Sequence, residues 1–131
     1  MIRTMMLAAL LGSVAMTGAA SAQQQGGVQC TGKSTTIRMS LIKAGKLDLF
    51  KKAVADHQAW YKAKGSGTTV SFVRQIKGGQ GAASWDDSMA MTIVVYDTSK
   101  PRAEQDDAYK AFVKEYADSS TLKDEHRGCM Y

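Results

Sequence analysis

From Thr35 to Lys43 the chain alternates polar with branched or apolar side chains, which predicts a strand, and Ala44-Gly45 ends it. Lys46 to Lys64 then changes period. Leu47, Phe50, Val54, His57 and Tyr61 recur at spacings of three and four and form one stripe of a helix, while Lys51, Lys52, Asp56 and Lys62 lie off it. Gly65-Ser66-Gly67 closes that helix, with Gly65 placed as the first residue past its cap. Thr68 to Ile76 is a second strand. Lys77 to Ser88 is a Gly-rich connection that includes Trp85-Asp86-Asp87, and Met89 to Tyr96 is a third, strongly apolar strand expected at the sheet centre. Pro101 suits the first turn of a second helix, which continues from Asp107 to about Ser119 with Tyr109, Phe112, Val113 and Tyr116 on one face. Leu122 to Tyr131 has room for a short edge strand ending at Cys129.

The resulting order, βαββα with a further strand, predicts an α+β, ferredoxin-like domain over residues 35–131 with an antiparallel sheet. Two helices cover one sheet face. The other face is also apolar in either register of the first strand (Ile37, Met39 and Leu41, or Ile42) and of the second (Val70 and Phe72, or Val73). A sheet this small with two apolar faces calls for a partner, and a second copy of the chain is the simplest one.

The helix Gly45-Lys46-Leu47-Asp48-Leu49-Phe50, continued by His57-Gln58-Ala59-Trp60-Tyr61 and Gly65, and the strand from Met91 to Tyr96 resemble the dimeric α/β-barrel superfamily over roughly residues 35–121. That group includes antibiotic-biosynthesis-type monooxygenases, haem-degrading relatives and small polyketide cyclases. The resemblance implies a homodimer with sheets back to back and a ligand pocket between each sheet and its helices. It also implies cofactor-independent chemistry of an oxygenase, lyase or cyclase kind on a hydrophobic, aromatic compound. The haem-degrading branch uses an Asn beside a Trp and a His, and this sequence has no Asn.

Residues 1–22 carry Arg3, an apolar run opening at Met5 and the small-x-small site Ala20-Ser21-Ala22, the features of a secretory signal. The run is too short and too diluted by Gly12, Ser13 and Thr17 to span a bilayer. The expectation is a periplasmic or secreted protein without a membrane once the signal is removed, with a flexible Gln/Gly-rich lead-in over residues 23–34. Export gives meaning to the two cysteines. Cys30 and Cys129 flank the domain, and in an oxidising compartment they pair, within one chain or between two. The formal net charge of +5 comes from scattered lysines, which speaks for a solvated surface and against nucleic acid.

His57 stands among core-facing residues, so its imidazole points inward, either as a general acid or base or hydrogen-bonded to a strand hydroxyl such as Ser40, Ser71 or Thr92. Tyr61, one turn on, could donate to a developing oxyanion or simply pack. Trp60 could stack on an aromatic ligand or cover the sheet edge. Arg38 and Arg74, flanked by apolar strand residues, could hold a carboxylate or phenolate, or form an ion pair with Asp or Glu across the dimer. Tyr96 could line the pocket mouth. The site is thus expected to use His57 and Tyr61 for chemistry and Trp60, Arg38, Arg74 and Tyr96 for binding, without metal or cofactor. The alternatives are a non-catalytic ligand-binding protein and a copper protein using Trp85, Met89 and Met91, although core packing accounts for these methionines. Asp124-Glu125-His126 reads as solvated tail.

Overall fold

The computed structural model describes residues 28–79 and 81–131. The expected signal and the first part of the lead-in lie outside the described residues. Six elements follow in order: β1 (Lys33–Ile42), α1 (Leu47–Ala63), β2 (Thr69–Lys77), β3 (Ser84–Val95), α2 (Asp107–Ser119) and β4 (Ser120–Met130). The strands form one antiparallel sheet in the order β2-β3-β1-β4, an α+β arrangement compatible with the ferredoxin-like fold. The apolar β3 is central, as its composition predicts, and shares the centre with β1.

Local chemistry sets the element ends. Past α1 the Ser66 amide donates to the Tyr61 carbonyl and the Gly65 amide to the Lys62 carbonyl, a Schellman cap that needs a residue at positive φ. Gly65 supplies it at φ 66°. The start of α2 departs from expectation. Pro101 lies outside the helix, which begins at Asp107 because the Asp106 carboxylate accepts the Tyr109 amide at 3.0 Å. The Gly-rich connection is also shorter than the sequence suggests, since Ser84 to Ser88 already belong to β3 and Trp85 pairs opposite Ile76. At the other end, β4 is a full edge strand. Asp124, Glu125 and His126 are not tail but face β1 opposite Met39, Arg38 and Ile37. The lead-in, too, ends two residues early, because Lys33 and Ser34 pair with Met130 and Cys129.

That pairing brings Cys30 to Cys129, and the two form an intrachain disulfide with Cα atoms 5.4 Å apart. Gly32 permits the approach. A Cβ there would meet the Met130 carbonyl oxygen at 2.1 Å, so no other residue fits without moving the strand.

The helices cover the sheet face that carries Thr36, Arg38 and Ser40 of β1, Val70, Phe72 and Arg74 of β2, and Ala90, Thr92 and Val94 of β3. Phe50 and Val54 of α1 meet Val70, Ala90 and Val94 in the core, joined by half-buried Phe72, Tyr96 and Tyr116. Val113, expected on the inner stripe of α2, is instead 42 % exposed, and Phe112 is the buried residue of that turn. The opposite sheet face carries Ile37, Met39 and Leu41 of β1 beside Ile93, Met91 and Met89 of β3, paired in that order. No element of the chain covers it among the described residues.

Candidate functional site

His57 sits where the stripe of α1 passes under α2. Its ring is stacked on Phe112 at 4.4 Å between centroids and on Tyr61 at 5.2 Å. Its Nδ1 lies 3.3 Å from the Tyr116 hydroxyl. The expected strand hydroxyl is therefore not its partner: the hydrogen bond goes across to α2, whose Phe112 also stacks on the ring. Burial, with the nearby Arg38 charge adding to it, lowers the imidazole pKa to about 4. At neutral pH His57 is uncharged.

Beyond Tyr116 a cavity of about 260 Å³ opens between α2 and the sheet. Arg38 and Ser40 enter it from β1, Thr92 from β3, Tyr116 and Ala117 from α2, and Ser120 and Leu122 from β4. The strands place them by alternation. Arg38 is opposite Thr92 on one side and Glu125 on the other, so all three project to the helix-covered face. The Arg38 Nε donates to Glu125 Oε2 at 2.6 Å. Burial opposes the Arg38 charge, but the bond and attraction of Glu125 outweigh it and raise the guanidinium pKa. Bonding to Arg38 in turn holds the Glu125 carboxyl below the usual carboxylate range. Tyr116 is a phenol whose pKa is raised by burial.

Arg38 is also the shared electrostatic neighbour of the aromatic groups around it. Its charge acts on His57, Tyr61 and Tyr116, and Tyr96 contributes to holding it protonated. Burial raises the Tyr61 pKa. The cavity can thus hold a small molecule against one cation, several hydroxyls and an apolar wall from Ala117 and Leu122.

The remaining candidates separate from this site. Trp60 donates from Nε1 to the capping carboxylate of Asp106 at 2.8 Å, and Tyr109 and Phe112 pack against it edge-on. It is 6 % exposed and holds the two helices together. Arg74 grips Asp87 through Nε and Nη2, and its guanidinium lies 4.7 Å from the Trp85 ring centroid. It lines a separate depression of about 650 Å³ with Lys43, Asp48 and Lys51, which shares no residue with the first cavity. Arg74 stands on the helix-covered face, whereas Met89 and Met91 alternate with Ala90 and Thr92 and so face the other way from the residues beneath the helices. Among the described residues no group of three His, Cys, Asp or Glu is placed to hold a metal ion.

Sequence reasoning missed Tyr116 and Glu125 as site residues. Tyr116 was visible as an inner-stripe aromatic of α2, the signal that picked out Tyr61 in α1. Glu125 needed the β1–β4 register, which no local pattern carries. Among the described residues no helix is long and apolar enough to cross a membrane. No protein-family model matches the chain, and no curated protein matches it in sequence.

Proposed function

We propose that the protein is an exported small-molecule-binding protein that takes a hydrophobic, aromatic compound into the cavity under α2. The observation that carries this reading is the cavity itself, where a guanidinium and the hydroxyls of Ser40, Thr92 and Tyr116 meet beside Leu122 and Ala117. Such sites are mostly apolar with a few polar groups that fix orientation. A volume of about 260 Å³ equals roughly nine water-sized volumes, enough for a single substituted ring. A thermal-shift series with monocyclic aromatics tests this. A saturable rise in Tm that disappears in Ala117→Trp, which fills the cavity, is expected; no rise with any ring compound removes the reading.

The second reading makes the protein a cofactor-independent enzyme of the oxygenase, lyase or cyclase kind. The contact between Tyr116 and His57 favours it, since a phenol facing the cavity stays protonated and can donate a hydrogen bond to a developing oxyanion while the imidazole behind it fixes the hydroxyl's place. His57 would then act through Tyr116 and not on the substrate directly. Turnover, once a substrate is in hand, would fall at least a hundredfold in Tyr116→Phe and comparably in His57→Ala.

A second copy of the chain is the proposed occupant of the open sheet face, in the manner of a dimeric α/β barrel. Ile37, Met39, Leu41, Met89, Met91 and Ile93 form an uncharged band across the two central strands, and Asp124 and His126 lie only on edge strand β4. Four strands at ~4.8 Å spacing and β1's ten residues at ~3.4 Å each span a flat area of roughly 650 Å². Side-chain relief brings that close to the ~800 Å² per partner of a stable interface.

A further inference from the structure

The cavity does more than accept an apolar ring. Its one cation is incompletely used by the protein. Glu125 engages the Nε edge of Arg38 and Tyr96 is the other side chain that bonds to it, which leaves part of the five-donor guanidinium to the cavity it lines. The hydroxyls of Ser40 and Thr92 stand two residues along β1 and directly across on β3, and likewise have no protein partner among the described residues. Both residues are largely buried, at 7 % and 4 % exposure. Buried polar groups of this kind ordinarily find a partner. Here neither hydroxyl oxygen is sealed from solvent, so what they face is the cavity.

We propose that the ligand is a monoanion, an aromatic monocarboxylate of single-ring size, whose carboxylate meets the Arg38 donors left over by Glu125 and Tyr96 and accepts from Ser40 and Thr92 while its ring lies along Leu122 and Ala117. This deepens the ligand-binding reading and rests on it. A planar carboxylate matches the guanidinium fork in shape, and its charge-assisted bonds are stronger than those of a neutral head group. The neighbouring His57 is uncharged and adds no competing cation. Glu125 is the one competitor. Its carboxylate already draws on the Arg38 charge, so the site holds an anion reversibly and rejects a dianion on which both charges would crowd the same fork.

Titration calorimetry with benzoate, benzamide and benzylamine on the full chain with its disulfide intact tests this. Benzoate is expected to bind at least tenfold more tightly than benzamide, with benzylamine weaker still. Arg38→Gln should abolish the preference while benzamide binding persists. Because Arg38→Gln also breaks the pair with Glu125, which tests folding as well as binding, Glu125→Gln supplies an independent arm: it releases the Nε edge of the guanidinium and should tighten benzoate several-fold with benzamide unchanged. Equal affinity for benzoate and benzamide, both lost in Ala117→Trp, overturns the anion while leaving the cavity reading in place. Absence of binding by all three overturns both. Benzoate binding that Glu125→Gln weakens or leaves unchanged also overturns the proposal.

Discussion

His57 makes the stability of the whole chain sensitive to mild acid. Its pKa is lowered from 6.5 to about 4 in the folded protein, while the unfolded chain binds its proton at the ordinary value. Between those two values the unfolded state carries more protons, so stability rises with pH there and is lost as pH falls. Between pH 7.5 and pH 5 the loss is about 2 kcal/mol. Denaturant midpoints measured at both pH values should differ accordingly, and His57→Phe should flatten the difference because a phenyl ring fills the same stack without titrating. An equal pH dependence in that variant would mean that other groups carry it. The same burial that creates this sensitivity denies His57 a role as acid at neutral pH, which leaves Tyr116 as the proton-bearing group nearest the cavity.

At the scale of elements, the junction of α1 and α2 depends on Trp60. Its indole both packs on Tyr109 and Phe112 and donates to Asp106, which caps α2 and also takes Lys64. Trp60→Phe keeps most of the packing and deletes the donor, and should cost about 1 kcal/mol. Trp60→Ala should cost ~3–5 kcal/mol by opening a cavity as well. Chemical denaturation separates the two. If Trp60→Phe costs nothing, the bond to Asp106 is not what sets the helix pair. The elements themselves were largely legible in the sequence. α1 was plain because seventeen residues keep one apolar stripe and end in Gly65. The start of α2 was not, since Pro101 is a strong local signal that tertiary context does not use, while Asp106 caps through a bond no periodicity reveals. Trp85-Asp86-Asp87 misled for a related reason: the β-poor aspartates join β3 because Gln75 and Ile76 across the ladder pair with Asp86 and Trp85. The site was legible only in part. Arg38 and His57 were visible, but which residues they meet is set by the β1–β4 and β1–β3 registers and by how α2 lies across α1.

At the scale of the molecule, the helix-covered face and the open face are held by different means. The first is closed by Phe50, Val54, Val94 and Phe112, and the disulfide ties its flanking ends into one ring. The second leaves its methionine and isoleucine side chains partly exposed and Leu41 44 % exposed. Water against so wide an apolar band is unfavourable, and the proposed second copy removes it by the isologous contact of one surface with itself. Sedimentation of the disulfide-intact chain at micromolar concentration should therefore report twice the single-chain mass. Met91→Lys places a charge in the middle of the band, where Met91 pairs opposite Met39 and Val73. That variant should sediment as a single chain while keeping its far-ultraviolet spectrum and its disulfide. It should also unfold at lower denaturant than the parent, by an amount that grows with parent concentration, because only an associating native state gains stability from mass action. A parent that sediments as one chain would leave the band without the proposed occupant, and the cavity under α2, which lies on the other face, would be untouched by that result.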